Sequence, residues 1–161
     1  QPLLQLGAEV EADPAEGGGG DPSFAAGVDH AGDTEPDTEQ EVVFLVISRT
    51  NGCDYCVAAH SMIADQMSKV PPQVTDAIRD GRPIADARLA ALAKFTETMV
   101  STRGLPSRAA VNEFVTAGYE ERHVLEVILA IAVKTLSNYF NHVGHTPLDQ
   151  MFAGRAWSKA A

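Results

Sequence analysis

The sequence predicts an all-α fold. Apolar residues recur at helical spacing along most of the chain after residue 38, and no segment has the alternating pattern of a β-strand. At 161 residues the chain is long enough to bury the core of one domain. We therefore expect a helical bundle over residues 38–161, preceded by an acidic, Gly-rich segment at residues 1–37.

Residues 1–37 are expected to be disordered or loosely docked. They are rich in Gly, Asp, Glu, Pro and Thr, and they have too few apolar side chains to offset the entropy of ordering. Residues 1–41 contain eleven Asp and Glu residues and no Lys or Arg, whereas residues 42–161 contain eleven acidic and twelve basic residues. The net charge of −10 therefore belongs to the N-terminal segment, and the remainder lacks the basic stripe that nucleic-acid binding needs.

Six helices are predicted after this segment, at residues 39–50, 53–68, 72–79, 86–102, 107–117 and 120–143. Their ends carry recognisable signals. Gly52 can adopt the left-handed conformation that terminates the first helix, and Pro71 ends the second. Asp86 and Ser107 are N-cap residues, whose side chains can accept hydrogen bonds from the first turns of the fourth and fifth helices.

The last helix, residues 120–143, is apolar on nearly every side. Such a helix belongs at the centre of a bundle or in an oligomer interface, so we predict a homo-oligomer. No apolar run reaches the ~18–20 residues of a membrane span, and residues 1–10 lack the basic and apolar parts of a signal peptide. We therefore expect a cytoplasmic protein with no membrane partner.

The strongest chemical signal is the run from Asn51 to His60, which contains both cysteines of the chain. In a helix Cys53, Cys56 and His60 would lie at positions i, i+3 and i+7, on one face. The start of a helix favours a thiolate, because its free N–H groups carry a partial positive charge. Two cysteines in a short cytosolic chain indicate catalysis, redox chemistry or metal binding rather than a structural disulfide.

His60 follows Cys56 by four residues, so its imidazole is expected to hydrogen-bond that sulfur, directly or through a water, and to lower the thiol pKa. Cys56 is therefore the candidate nucleophile and Cys53 the candidate resolving thiol, although helix position alone favours Cys53. Glu41, on the preceding helix, is expected to approach His60 and relay protons. Helical spacing does not distinguish Glu41 from Glu39.

Two other interpretations of these residues remain open. Zinc could be bound by Cys53, Cys56 and His60, provided that His142 or His145 supplied a fourth ligand. The cysteines could also be inert core residues.

Glu41 together with the run Asn-Gly-Cys-Asp-Tyr-Cys-Val-Ala-Ala-His resembles the Glu–CxxC–xxx–His signature of the alkylhydroperoxidase D-like, carboxymuconolactone decarboxylase superfamily, in particular its peroxidase-related branch. The similarity extends over residues 39–157. It implies an oligomeric helical peroxidase that reduces hydroperoxides without a metal or organic cofactor. It also implies that Cys56 is the peroxidatic thiol, Cys53 the resolving thiol, His60 the base and Glu41 its proton-relay partner.

The resemblance further implies a dithiol reductant, such as a lipoyl-bearing protein. Two features depart from the family pattern. Tyr55 stands where the best-studied alkylhydroperoxidase D members have a second histidine, and the acidic segment stands where the family usually has folded helices.

Two alternative functions follow from the same residues. A carboxymuconolactone decarboxylase-type lactone enzyme would share the fold, but its chemistry does not need two thiols. A non-enzymatic redox sensor would use the Cys53–Cys56 disulfide without turnover.

Overall fold

The computed structural model describes residues 36–159, which form helices joined by short connections. These are α1 (Pro36–Asn51), α2 (Asp54–Gln66), α3 (Pro72–Asp80), α4 (Ala87–Ser101), α5 (Arg108–Thr116), α6 (Glu121–Gly144) and a short 3-10 helix (Gln150–Arg155). No β-strand occurs within residues 36–159. The all-α prediction is confirmed, and the six predicted helices have bounds within three residues of the observed ones. The predicted N-terminal segment lies outside the described residues, apart from its last two positions.

The helix ends follow from local chemistry. Asp86 Oδ1 accepts a hydrogen bond from the backbone N–H of Leu89 at 2.8 Å, and Ser107 Oγ accepts one from that of Ala110 at 3.1 Å. Both bonds satisfy N–H groups that the start of a helix leaves free. Gly52 has a φ of 71°, a conformation that favours glycine and lets the chain turn from α1 into α2.

Helix α1 lies at the centre of the bundle and packs against α2, α3, α4 and α6. Its buried apolar residues are Val42, Val43, Leu45, Val46 and Ile47. Beside them, Phe114 stacks between Phe95 and Tyr119, with ring centroids 4.2 and 4.4 Å apart. This packing fixes the position of α1, and with it the position of the polar side chains that α1 directs toward α2 and α6.

Helix α6 does not lie at the centre of the bundle, which was one of the two places predicted for it; the other, an oligomer interface, stays a prediction. Only one side of it, containing Val127, Lys134 and Asn138, is buried against the bundle. Its opposite side exposes large apolar residues: Leu125, Ile128, Leu129, Leu136, Tyr139, Phe140 and Val143. Among the described helices, α6 alone has the length and composition to cross a membrane, which the sequence analysis did not expect.

The chain after α6, residues 146–159, forms a C-terminal segment of the predicted domain for which the sequence analysis predicted no individual helix. Arg79 of α3 donates hydrogen bonds to the backbone carbonyls of Arg155 and Ala156 at 2.9 and 3.0 Å. In return, Trp157 Nε1 donates to the carbonyl of Arg79 at 3.1 Å. These bonds fix the segment to α3, and its 3-10 helix also packs on α2.

We expect Leu45→Ala to lower the free energy of unfolding by about 2–5 kcal/mol, because Leu45 is 1% exposed and its truncation leaves a cavity beside α1. Leu105→Ala is the matched control, since Leu105 is 80% exposed, and it should change stability by less than about 0.5 kcal/mol. Urea unfolding of the two variants measures both values. Equal effects would contradict the central position of α1.

Candidate functional site

The two cysteines lie where α1 turns into α2. Cys53 is the N-cap residue of α2, and Cys56 lies in its first turn. The backbone N–H of Cys53 donates to the carbonyl of Ser48 at 2.9 Å, and the Cys53 carbonyl accepts from the N–H of Val57 at 2.9 Å. The turn at Gly52 therefore places Cys53 and Cys56 at the start of α2, where backbone hydrogen bonds fix the position of Cys53.

Both cysteines are free thiols and almost fully buried, Cys53 being 1% and Cys56 2% exposed. The interaction between the two thiol groups, with burial, raises the pKa of Cys53. The same interaction lowers the pKa of Cys56, because it favours the thiolate of Cys56. The Lys134 charge and hydrogen bonds from Ser137 and Asn141 lower the Cys56 pKa further. The two opposite shifts favour a thiolate at Cys56 and a thiol at Cys53.

Helix α6 supplies these hydrogen bonds from one polar stripe. Asn141 Nδ2 lies 3.1 Å from Cys56 Sγ, and Ser137 Oγ lies 3.7 Å from it. Asn138, which is fully buried, accepts from Asn51 Nδ2 at 2.9 Å and so fastens α6 to the end of α1. The stripe therefore both activates the sulfur and holds the three helices together.

Glu41 and His60 meet beside the cysteines. Glu41 Oε2 lies 2.8 Å from His60 Nδ1, and both side chains are largely buried. Phe44 packs against the imidazole, with ring centroids 5.3 Å apart. Glu39, which the sequence did not distinguish from Glu41, instead pairs with Arg88 at 3.0 Å on another side of α1.

The second ring nitrogen of His60 contacts Lys134, a buried residue of α6 that the sequence analysis missed. An ammonium can only donate, so His60 Nε2 accepts and the ring proton is on Nδ1, where it is donated to Glu41. No direct hydrogen bond joins Cys56 to His60, two residues that the structure describes. The basic group whose charge lowers the pKa of Cys56 is Lys134. His60 is thus held in a Glu41–His60–Lys134 series, and a link from His60 to Cys56 through a water stays a prediction.

A signal for Lys134 was present in the sequence. It is the only Asp, Glu, Lys or Arg between Glu126 and Asp149, in the middle of the most apolar helix. A lone charge in such a helix is rarely buried without a partner, and therefore indicates a polar site.

Tyr55, between the two cysteines, binds the C-terminal segment. Its hydroxyl donates to Asp149 Oδ2 at 2.5 Å, and its ring packs edge-on against Phe152 at 5.8 Å. The hydrogen bond to Asp149, with burial, raises the pKa of Tyr55 to about 12. Tyr55 is therefore a neutral docking residue at neutral pH.

The geometry does not favour the zinc interpretation. Both ring nitrogens of His60 are already engaged, one by Glu41 and the other by Lys134. His142 is exposed and stacks on Tyr139, with ring centroids 6.2 Å apart. Within residues 38–159, no group of three or more His, Cys, Asp or Glu residues is arranged to hold a metal ion.

Comparison with known proteins gives one match to a protein family. Residues 24–98, which include Glu41, both cysteines and His60, match the carboxymuconolactone decarboxylase family. The resemblance predicted from the sequence is confirmed by this match. No curated protein matches the chain.

A solved structure with a similar fold is that of an uncharacterized peroxidase-related protein from Silicibacter sp. TM1040. The match has a TM-score of 0.65 and 20% sequence identity, and it covers 77% of this chain and 65% of that one. The likeness shows that the two proteins share a fold. The present chain spans less than two thirds of the length of that protein.

We expect ultraviolet thiolate absorbance from Cys56 at neutral pH, because its pKa is lowered, and loss of that absorbance only as the solution is made acidic. Cys56→Ser should abolish the signal. Cys53→Ser should retain it, since serine can still donate to the thiolate, whereas Cys53→Ala should move the midpoint to higher pH. A midpoint unchanged in Cys53→Ala would show that Cys53 does not lower the pKa of Cys56.

Proposed function

We propose that this chain, with its carboxymuconolactone decarboxylase family segment, is a thiol-dependent peroxidase that reduces hydroperoxides through Cys53 and Cys56. The observation that carries the proposal is a pair of buried free thiols at the start of α2, with Asn141 Nδ2 3.1 Å and Ser137 Oγ 3.7 Å from Cys56 Sγ. A peroxidase of this kind needs one thiolate to attack and one thiol to resolve. The lowered pKa of Cys56 and the raised pKa of Cys53 fit this division of roles.

The reaction has two steps. The Cys56 thiolate attacks the terminal, hydrogen-bearing oxygen of the hydroperoxide, so that an S–O bond forms, the O–O bond breaks, Cys56 becomes a sulfenic acid, and an alkoxide leaves and takes up a proton. The Cys53 thiol then attacks the sulfenic sulfur, forming the disulfide and releasing water. His60 and Glu41 relay protons in this scheme, and their 2.8 Å contact supports that role.

The cycle needs two electrons from a reductant and no metal or organic cofactor. A dithiol is the reductant that we propose, because thiol–disulfide exchange returns both cysteines to their starting state. A lipoyl-bearing protein carries such a dithiol. Free thiols that must be re-reduced suit the cytoplasm, where disulfides do not persist. Small hydroperoxides suit the site, since both sulfurs are buried.

A redox sensor is the second candidate, and the docking of Tyr55 favours it. Tyr55 lies between the two cysteines and holds Asp149 at 2.5 Å, so a disulfide at this turn would act directly on the C-terminal segment. Turnover separates the candidates, because a sensor consumes one equivalent of peroxide and stops. The lactone enzyme has no such support in the site, since its chemistry does not need the second thiol.

We expect Cys56→Ser to abolish peroxide consumption, because it removes the attacking thiolate. Without added reductant, Cys53→Ser should consume one equivalent per chain and retain a sulfenic acid that a dimedone reagent labels, since no second thiol resolves it. Consumption of an alkyl hydroperoxide is measured first without reductant, for this stoichiometry and label, and then with excess dithiothreitol, for turnover. Undiminished turnover in both variants would refute the mechanism, and a wild-type protein that stops after one equivalent would favour the sensor.

A second copy of this chain is the partner that we propose for the exposed side of α6. Along that side, apolar residues follow one another at alternating spacings of four and three: Leu125, Leu129, Ala132, Leu136, Tyr139 and Val143. This is the spacing of a coiled-coil seam, and a two-fold pair of helices would bury the same seam from each copy. The other side of α6 is held in polar contacts with α1 and α2, which supports a protein partner rather than lipid.

We expect the wild-type protein to be oligomeric and Leu136→Glu to dissociate it, because Leu136 is 75% exposed at the middle of the seam and a carboxylate there would be desolvated. Leu105→Glu is the control, as Leu105 is equally exposed but lies outside α6. Sedimentation equilibrium measures the mass of each variant. A monomeric wild type at micromolar concentration would refute the interface.

A further inference from the structure

Lys134 is a buried ammonium for which the reaction above gives no role. Its side chain is 9% exposed, it contacts His60 Nε2, and its Nζ lies 5.5 Å from the ring centroid of Phe44. No carboxylate among residues 38–159 forms an ion pair with it. A buried charge without a direct counter-charge is unfavourable, so Lys134 depends on negative charges slightly further away.

Those charges are the Cys56 thiolate and the Glu41 carboxylate. Ser137, one helical turn after Lys134, has its Oγ 3.7 Å from Cys56 Sγ. Glu41 is hydrogen-bonded to the imidazole of His60, which Lys134 also contacts. Burial lowers the pKa of Lys134, whereas the charges of Cys56 and Glu41 act in the opposite direction. The groups that face Lys134 are Glu41 and Phe44 from α1, Cys56 and His60 from α2, and Cys53 at the α2 N-cap.

Oxidation of Cys56 changes this balance. In the reduced site two negative charges hold the proton on Lys134, and after attack on a peroxide only that of Glu41 remains. At the same moment the leaving alkoxide requires a proton. We propose that Lys134 donates this proton and that loss of the thiolate charge is what releases it. The inference rests on the peroxidase function proposed above and extends it to a further residue.

The protons then balance within the site. The thiolate becomes a sulfenic acid, an N–H bond of Lys134 breaks, and the alkoxide becomes an alcohol. Cys53 next forms the disulfide with release of water, which leaves a neutral amine at Lys134. A dithiol reductant restores the pair, and of its two protons one goes to the Cys53 thiol and one returns to Lys134. A complete oxidation therefore takes no proton from solvent, whereas a Lys134 that stayed charged would require solvent to supply one.

The test is a single turnover of the reduced, full-length protein with tert-butyl hydroperoxide, in weakly buffered solution at neutral pH with an indicator dye. We expect the wild type to form its disulfide without proton uptake. Lys134→Arg keeps the positive charge but cannot release a proton at neutral pH. This variant should retain the thiolate absorbance, take up one proton per disulfide, and react about 100-fold more slowly, as is typical for loss of a general acid.

Lys134→Met removes both charge and proton, and provides a second variant if arginine does not fit the buried site. It should slow the reaction comparably and move the thiolate titration to higher pH, because the positive charge no longer favours the thiolate. Uptake of one proton by the wild type, or wild-type rates in both variants, would overturn the role of Lys134 and leave the peroxidase intact. Thiols that do not react with the peroxide at all would instead overturn the proposed function, and this inference with it.

Discussion

The burial of charged groups between α1, α2 and α6 is the constraint on which the rest of the structure depends. A carboxylate, an ammonium and a cysteine of lowered pKa each lose hydration there, and neither the carboxylate nor the ammonium would be tolerated alone. Glu41 and Lys134 share the imidazole of His60, and Cys56 accepts from Asn141 at 3.1 Å. Because every one of these partners comes from a different helix than the group it satisfies, the three helices must keep their relative positions.

The close packing of α1 is what makes those positions stable. Its apolar residues face the core formed with α4 and α5, while Glu41 and Ser48 face the site. Asn138 joins the end of α1 to α6 through Asn51 at 2.9 Å. The polar stripe of α6 is thus hydrogen-bonded to α1, which cannot move without disrupting the core. This explains how the hydrogen bonds to Cys56 Sγ keep their geometry.

Local features of the sequence were sufficient to predict most of the fold. The caps at Asp86 and Ser107 and the left-handed turn at Gly52 are each determined by a few neighbouring residues, so their consequences could be stated without a structure. The candidate residues Glu41 and His60 could be named from spacing and resemblance. Their roles in a reaction remain predictions until they are measured.

What the sequence could not provide are contacts between distant segments. Lys134 and His60 are 74 residues apart, and Tyr55 and Asp149 are 94 residues apart. No periodicity relates such pairs, because their contact depends on how whole helices pack. The place of α6, at the centre of the bundle or in an oligomer interface, was left open by the sequence for a related reason: an apolar pattern shows that a surface avoids water but does not say which neighbour covers it.

These long separations also have a consequence for synthesis of the protein. A chain emerges from the ribosome N-terminal end first, at roughly 5–20 residues per second. Cys56 therefore becomes exposed several seconds before Asn141 and Lys134 have been made, since they follow it by roughly 80 residues. Until α6 arrives, the sulfur lacks the charge and the hydrogen bonds that favour its thiolate. A nascent chain thus carries its cysteines as ordinary, weakly reactive thiols, and their reactivity begins only when the last helix docks.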